Sequence, residues 1–154
     1  MMSKNALARE PVLRWWVWGP AWAHMAAIFV SSSLPVSAIP SIAFVVPDKL
    51  VHGAVYGLLG GLVLRAFAGA QWTGVKPRTA LGAVALTIAY GVSDEWHQSF
   101  VPGRTPEIMD LVVDGIAAAV VVGAAWAWSI IGLSRVHAAR RAGHAAPTFT
   151  ERLP

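Results

Sequence analysis

The sequence predicts an all-α protein, a transmembrane bundle of four antiparallel helices with both termini in the cytoplasm. Three observations lead to this prediction: an apolar composition, four long apolar stretches, and a separation of acidic from basic residues. The 154 residues suit one domain. They are 56% hydrophobic and 13% charged, whereas soluble proteins are about 25% charged. This composition excludes a disordered chain, and the absence of Cys excludes a disulfide framework or a thiol nucleophile.

Each apolar stretch has about 20 residues, enough for a helix to cross a bilayer core of about 30 Å. Pro and Gly residues in the short segments between them break helices where turns are needed, and short connections make consecutive helices antiparallel. The four predicted spans are residues 15–34, 50–69, 79–99 and 111–133.

The first span has an alternative interpretation, because residues 1–38 could be a secretory signal that is cleaved after Ala38. The apolar part of a signal is usually about 7–15 residues long. The longer stretch found here favours a span that is retained.

Charged residues separate into two sets when the spans are placed in alternating directions. One set has ten Lys and Arg with two acids, and the other has two Lys and Arg with six acids. Short cytoplasmic loops are rich in Lys and Arg, so the basic set is predicted to be cytoplasmic and the acidic set to face outward. The net charge of +4 is then explained by contact with anionic membrane lipids, and nucleic acid is not expected as a partner.

We predict two regions, a membrane domain over residues 1–134 and a basic, flexible tail over residues 135–154. Within the membrane domain, glycines recur every four residues at Gly53, Gly57 and Gly61. This pattern is typical of a face where two helices approach closely in lipid.

Placing an ionisable side chain inside or at the edge of a bilayer costs free energy, so such residues are candidates for function. At the start of the second span, Asp48, His52 and Tyr56 recur at i+4 and share one stripe beside Lys49. The third span ends in the run Ser93-Asp94-Glu95-Trp96-His97-Gln98, and Arg104 follows it.

The fourth span opens with Thr105-Pro106-Glu107, which predicts an N-cap followed by Pro in the first turn. Glu107, Asp110 and Asp114 then lie on one face of that helix. Since all these groups belong to the outward ends of their spans, we expect His52, Asp94, His97, Arg104 and Asp110 to converge.

The acidic set has more carboxylates than cations can neutralise, which calls for a proton, a metal ion or a cationic ligand. Two His with several carboxylates suit a divalent metal, although the spacing matches no familiar zinc motif. The cofactor therefore stays unknown, with a divalent metal as one option. Alternatively, the acidic cluster is a structural network in which Lys49 and Arg104 pair with the acids.

These runs resemble the VanZ-like family. The resemblance rests on Asp48-Lys49-Leu50-Val51-His52 with Tyr56, on the run from Ser93 to Arg104, and on Asp110. It implies a small bacterial membrane protein with several helices, in a family whose founding member is associated with low-level teicoplanin resistance. It carries no catalytic assignment. Asp114 and Ala117 depart from the family pattern, where we expect Asn and Gly.

Three functional hypotheses follow. The first is an outward-facing site in the cytoplasmic membrane that binds or modifies an envelope-lipid headgroup or cell-wall precursor and so affects susceptibility to glycopeptides such as teicoplanin. The second is a membrane-embedded, metal-dependent hydrolase or transferase of lipid-linked phosphate. The third is a non-catalytic assembly protein, and none of them fixes the oligomeric state. The candidate catalytic residues are His52, Asp94, Glu95, His97 and Asp110, and the candidate ligand-binding residues are Asp48, Lys49, Tyr56, Gln98 and Arg104.

Overall fold

The protein is all-α throughout residues 11–38 and 47–144, the ranges that the computed structural model describes. Four helices and a short 3₁₀ turn at Val36–Ala38 make up these ranges, with no strand among them. The all-α prediction is thus confirmed. The helices are α1 Pro11–Ser32, α2 Asp48–Phe67, α3 Pro77–Gln98 and α4 Ile108–His144.

Each helix begins a few residues before the apolar stretch that predicted it. Pro77 occupies the first turn of α3, where its missing N–H costs nothing, and Asp48 places an acid at the positive end of α2. α4 begins at Ile108, so Thr105 precedes it and is not its cap. α4 also continues to His144, so residues 135–144 of the predicted tail are helical. Residues 145–154 of that tail and residues 1–10 lie outside the described ranges. The predicted cytoplasmic location of the two termini concerns these residues.

The predicted glycine face of α2 packs against α4. A Cβ on Gly60 would lie 3.2 Å from the Cα and Cβ of Ala118, and one on Gly57 would lie 3.2 Å from Val121 Cγ2. Side chains larger than hydrogen would therefore push the two helices apart. Contacts advance along both helices together, from Gly53 beside Ala117 to Gly60 beside Val122, so α2 and α4 run in the same direction.

The contacts of α1 with α2 run in opposite order along the two helices. His24 Nε2 donates to the carbonyl of Val55 at 3.0 Å, while Arg65 Nη1 donates to the carbonyl of Trp16 at 3.0 Å. α1 also lies against α3, where Tyr90 donates to the carbonyl of Met25 at 2.6 Å. The imidazole of His24 is therefore held by a backbone hydrogen bond in the middle of the α1–α2 contact.

The core between the helices is small, and many large apolar side chains face outward. Leu59, Val63, Leu64 and Val122 are fully buried, and the other buried residues are mainly small ones, such as Ala and Gly, or polar ones. α2 and the Ile108–Arg135 part of α4 are each long and apolar enough to cross a membrane. α3 is more polar because of Arg78 and its acidic end, and α1 contains four Trp and an internal Pro, Pro20.

Candidate functional site

Polar side chains from all four helices lie at one end of the helix assembly. This end is formed by the last turn of α1, the first three turns of α2, the last two turns of α3 and the first two turns of α4. The contacts described below connect these segments directly. The stripes predicted from sequence therefore do lie at a common end.

An imidazole stands at the centre of the contacts between α2 and α4. His52 Nε2 lies 3.8 Å from Asp110 Oδ2 and 4.0 Å from Asp48 Oδ2. On the other side of the ring, His52 Nδ1 lies 3.4 Å from Asp114 Oδ2, within hydrogen-bonding distance. We call Asp48, His52, Asp110 and Asp114 the His52 cluster.

Three members of the His52 cluster lie close enough together to hold a metal ion after a small adjustment. One ligand atom from each of Asp48, His52 and Asp110 lies within 4.8 Å of the other two. Asp110 is buried and His52 is partly buried, whereas the Asp48 side chain is 72% exposed. Packing therefore fixes two of the three potential metal ligands, His52 and Asp110, whereas the exposed side chain of Asp48 can rotate.

Lys49 lies at the rim of this cluster. Its Nζ donates to Glu107 Oε2 at 2.7 Å and also to Asp110 Oδ1. The ion pair with Glu107 is solvent-exposed, and such pairs contribute only about 0–1 kcal/mol to stability. The predicted pairing of Lys49 with acids is therefore present, and it engages one oxygen of Asp110 while the other faces His52.

Asp94 is the acceptor for three side chains on three helices. Its Oδ1 accepts from Ser32 Oγ at 2.6 Å, and its Oδ2 accepts from Tyr56 OH at 3.1 Å and from Gln98 Nε2 at 2.9 Å. The residue is 5% exposed. Because both carboxylate oxygens are occupied by fixed donors, Asp94 positions Tyr56 and joins α1, α2 and α3.

Tyr56 connects this hydrogen-bond network to the His52 cluster. Its ring lies nearly parallel to that of His52, with centroids 6.2 Å apart, while its hydroxyl binds Asp94. Two of the five residues expected to converge, His52 and Asp110, face each other directly, and Asp94 is linked to them through Tyr56.

The other predicted residues make separate contacts. His97 Nε2 lies 2.9 Å from Ser33 Oγ, and the ring of His97 stacks on Phe29. Glu95 Oε2 accepts from the backbone N–H of Glu107 at 3.0 Å, which places a carboxylate at the N-terminus of α4.

Arg104 binds the C-terminal end of α1. Its Nε donates to the carbonyl of Leu34 at 3.3 Å and its Nη2 to the carbonyl of Ser31 at 3.1 Å. Ser31 lies in the last turn of α1, where carbonyls lack partners within the helix, and its carbonyl also accepts from the backbone N–H of Leu34 at 3.3 Å. The predicted pairing of Arg104 with acids does not occur within the described residues, because backbone carbonyls take its hydrogen bonds.

Four polar residues of this end were absent from the predicted site, and one of them is Glu107, which binds Lys49. Asp114 contacts His52, Ser32 contacts Asp94, and Ser33 contacts His97. Asp114 could have been included because it lies one turn beyond Asp110 on the same helix face. Ser32 and Ser33 gave no such signal, since their role depends on how α1 packs against α3.

Comparison with known protein families identifies a family for this chain. A family model described as VanZ/LLP1 matches residues 12–131, which is most of the chain. Neither the comparison with curated proteins nor the comparison with solved structures found a match.

Proposed function

The chain belongs to the VanZ/LLP1 family, and we propose that it binds the headgroup of an envelope lipid or lipid-linked cell-wall precursor. In this proposal the four helices form an antiparallel transmembrane bundle in the cytoplasmic membrane. The end that carries the His52 cluster faces outward. The observation on which this proposal rests is that polar side chains of four helices meet at one end of an assembly whose helices expose many large apolar side chains along their lengths.

The apolar exterior supports the membrane location. Leu81, Val92, Ile116 and Val120 are each about half to three quarters exposed, although all lie well inside their helices. A water-soluble protein of this size rarely exposes apolar patches larger than a few hundred Å². All four helices have at least 20 residues, and each is therefore about 30 Å or more in length.

The distribution of charge supports the orientation. Arg65, Lys76, Arg78 and Arg135 belong to the end opposite the His52 cluster. Basic residues near the ends of spans favour the cytoplasmic side. With that end inside, the site faces outward and both termini are cytoplasmic.

The surroundings of the site suit a lipid. Trp96 and Phe100 pack edge to face with centroids 5.3 Å apart, and both are 69% exposed. Ile108 and Met109 are exposed at the start of α4. An acyl or prenyl chain would lie along these side chains while its headgroup reaches the polar groups, as aromatic side chains at membrane interfaces commonly allow.

A cationic contact for a headgroup phosphate is available at Arg104. Its hydrogen bonds to α1 use Nε and Nη2, and Nη1 makes none within the described part of the chain. Guanidinium groups are well suited to bind phosphate. In this proposal Lys49 contributes a second positive charge at the same rim.

The test is lipid retention by the protein in nanodiscs, measured by native mass spectrometry. A polyprenyl diphosphate is expected to be retained, whereas the matched polyprenol, which lacks the headgroup, is not. Arg104→Gln is expected to weaken retention roughly tenfold, the order of one charge-assisted hydrogen bond, and Arg78→Gln at the opposite end is the control. Equal retention of the two lipids would contradict the proposal.

The same pair of variants tests the connection to antibiotic susceptibility. Expression of the wild-type protein should raise the teicoplanin concentration that inhibits growth, and Arg104→Gln should abolish that effect while Arg78→Gln retains it. Thermal unfolding of both purified variants shows whether a loss reflects misfolding. Loss of the effect in step with stability would instead indicate a structural or assembly role.

The His52–Asp114 contact favours a second candidate, hydrolysis or transfer at a lipid-linked phosphate. A buried carboxylate at Nδ1 orients an imidazole so that Nε2 can accept a proton, as in an oriented general base. Phosphate release from a polyprenyl diphosphate would be measured for wild type and His52→Gln. Turnover that His52→Gln abolishes would establish this activity, and no turnover would leave binding as the function.

A further inference from the structure

We infer that Asp48, His52 and Asp110 form a binding site for one divalent transition-metal ion, with Asp114 as the carboxylate that orients the His52 ring. The existence of this site is independent of the proposed function, and only its role toward a headgroup phosphate rests on that function. The inference combines the spacing of three ligand atoms with a separate observation at Asp114.

The separate observation is a buried acceptor without a hydrogen bond. Asp114 is 1% exposed, and its Oδ1 has no hydrogen-bond partner within the described residues. That oxygen lies 3.3 Å from His52 Nδ1 and so faces the imidazole of the site. A buried carboxylate that is only partly hydrogen-bonded is costly unless a nearby positive charge compensates for it.

A metal ion on the opposite ring nitrogen would provide that compensation. Metal-bound His residues commonly donate their other N–H to a carboxylate, which fixes the tautomer and the direction of the lone pair. If Asp114 accepts from the Nδ1–H group, Nε2 carries the lone pair, and the Asp48 and Asp110 oxygens lie 4.0 and 3.8 Å from that nitrogen.

The spacing needs only a small adjustment. Ligands about 2.0–2.2 Å from a tetrahedral zinc ion lie roughly 3.4 Å from each other. The present separations from Nε2 exceed that value by about half an ångström. Rotation of the exposed Asp48 side chain toward His52 can supply part of the change, because the residue is at the surface.

The charges around the site leave room for a cation. Three carboxylates surround His52, and the nearby cation, Lys49, binds Asp110 through Oδ1 and Glu107 through Oε2. The other oxygen of Asp110, Oδ2, does not bind Lys49 and lies 3.8 Å from His52 Nε2. One imidazole nitrogen with two carboxylate oxygens suits Zn²⁺ or Mn²⁺ better than Mg²⁺ or Ca²⁺, which prefer oxygen alone.

The site would also leave coordination positions open, because the chain supplies three ligands among the described residues. Catalytic and substrate-binding metal sites keep such positions for water or ligand oxygens. If the proposed function holds, a headgroup phosphate can approach this acidic end through the bound cation. The cation would thereby remove the repulsion between phosphate and carboxylates.

The test is calorimetric titration of ZnCl₂ and MnCl₂ into chelator-treated full-length protein in nanodiscs of zwitterionic lipid, which avoids metal binding by anionic headgroups. Wild type is expected to bind one equivalent. His52→Gln and Asp48→Asn should weaken binding on the order of 100-fold, and Asp114→Asn about 10–100-fold, the range for loss of an orienting carboxylate.

Glu107→Gln is the matched control, since it removes an acid from the same rim without removing a member of the His52 cluster. It should bind metal as wild type does. Equal weakening by Glu107→Gln and Asp48→Asn, or no stoichiometric binding by wild type, would overturn the inference. Because no lipid ligand enters this measurement, its failure is distinguishable from failure of headgroup binding, and Asp48→Asn decides the outcome if His52→Gln does not fold.

Discussion

Replacement of Asp94 tests the role that the structure gives to the hydrogen-bond network. In Asp94→Ala, the hydroxyl of Tyr56 and the amide of Gln98 lose their acceptor, and both residues are buried. Ser32 keeps an alternative, since its Oγ also lies 3.2 Å from the carbonyl of Phe29. Each buried donor without a partner costs about 1–3 kcal/mol, although hydrogen bonds between membrane helices average nearer 0.6 kcal/mol. We therefore expect a loss of about 2–4 kcal/mol in the free energy of unfolding.

Asp94→Asn should be far milder because of how the three donors are arranged. The amide oxygen of Asn can take the place of Oδ2 and accept from both Tyr56 and Gln98. Its NH₂ group would then face Ser32 Oγ, which can accept that hydrogen bond while donating to Phe29. We expect a cost under about 1 kcal/mol, since only one hydrogen bond changes direction.

The assay is equilibrium unfolding in bicelles, with Asp48→Ala as the control at an exposed position of the same end. The expected order of stability is Asp48→Ala, then Asp94→Asn, then Asp94→Ala as the least stable. If Asp94→Ala unfolds with the same free energy as Asp48→Ala, the network does not join the helices and the reasoning fails. Loss of lipid retention in a stable Asp94→Asn would assign the charge of Asp94 to binding.

Two further substitutions test the packing and the basic end. Gly60→Leu should lower the free energy of unfolding by about 1–3 kcal/mol, because the new side chain meets Ala118 and Val122. Gly123→Leu is the control and should have little effect, since a Cβ at that position would have no neighbouring atom within 4 Å. Equal effects of the two substitutions in thermal unfolding would contradict the α2–α4 contact. Arg65→Gln should cost about 1 kcal/mol by removing hydrogen bonds to the carbonyls of Trp16 and Val17. Arg78→Gln is its exposed control, and identical melting temperatures for the two variants would count against the α1–α2 contact.

The positions of the helices could be predicted from sequence because apolar length and Pro or Gly punctuation are local properties. α2 and α3 begin at Asp48 and Pro77, each two residues before the predicted span. The extension of α4 to His144 could not be predicted in this way, since the polar segment after residue 133 contains no apolar stretch.

The membership of the site could be predicted in part. The i+4 stripe of Asp48, His52 and Tyr56 follows from helix periodicity. In the structure His52 faces Asp110 and Asp114 of α4. Contacts between helices depend on how each helix is rotated about its axis, which the sequence does not state. The turn of His97 toward Ser33 and the placement of Arg104 on the carbonyls of α1 therefore came only from the structure.

The most direct test of the central claim, an outward-facing polar end on a membrane-spanning bundle, is accessibility of single cysteines. The natural chain contains no Cys, so each introduced thiol is the only one to be labelled. Thr105→Cys lies in the α3–α4 connection at the polar end, and Gln71→Cys lies in the α2–α3 connection at the basic end; both positions are exposed. A membrane-impermeant maleimide added to intact spheroplasts should label Thr105→Cys and should label Gln71→Cys only after permeabilisation. The reverse pattern, or labelling of both in intact spheroplasts, would contradict the account.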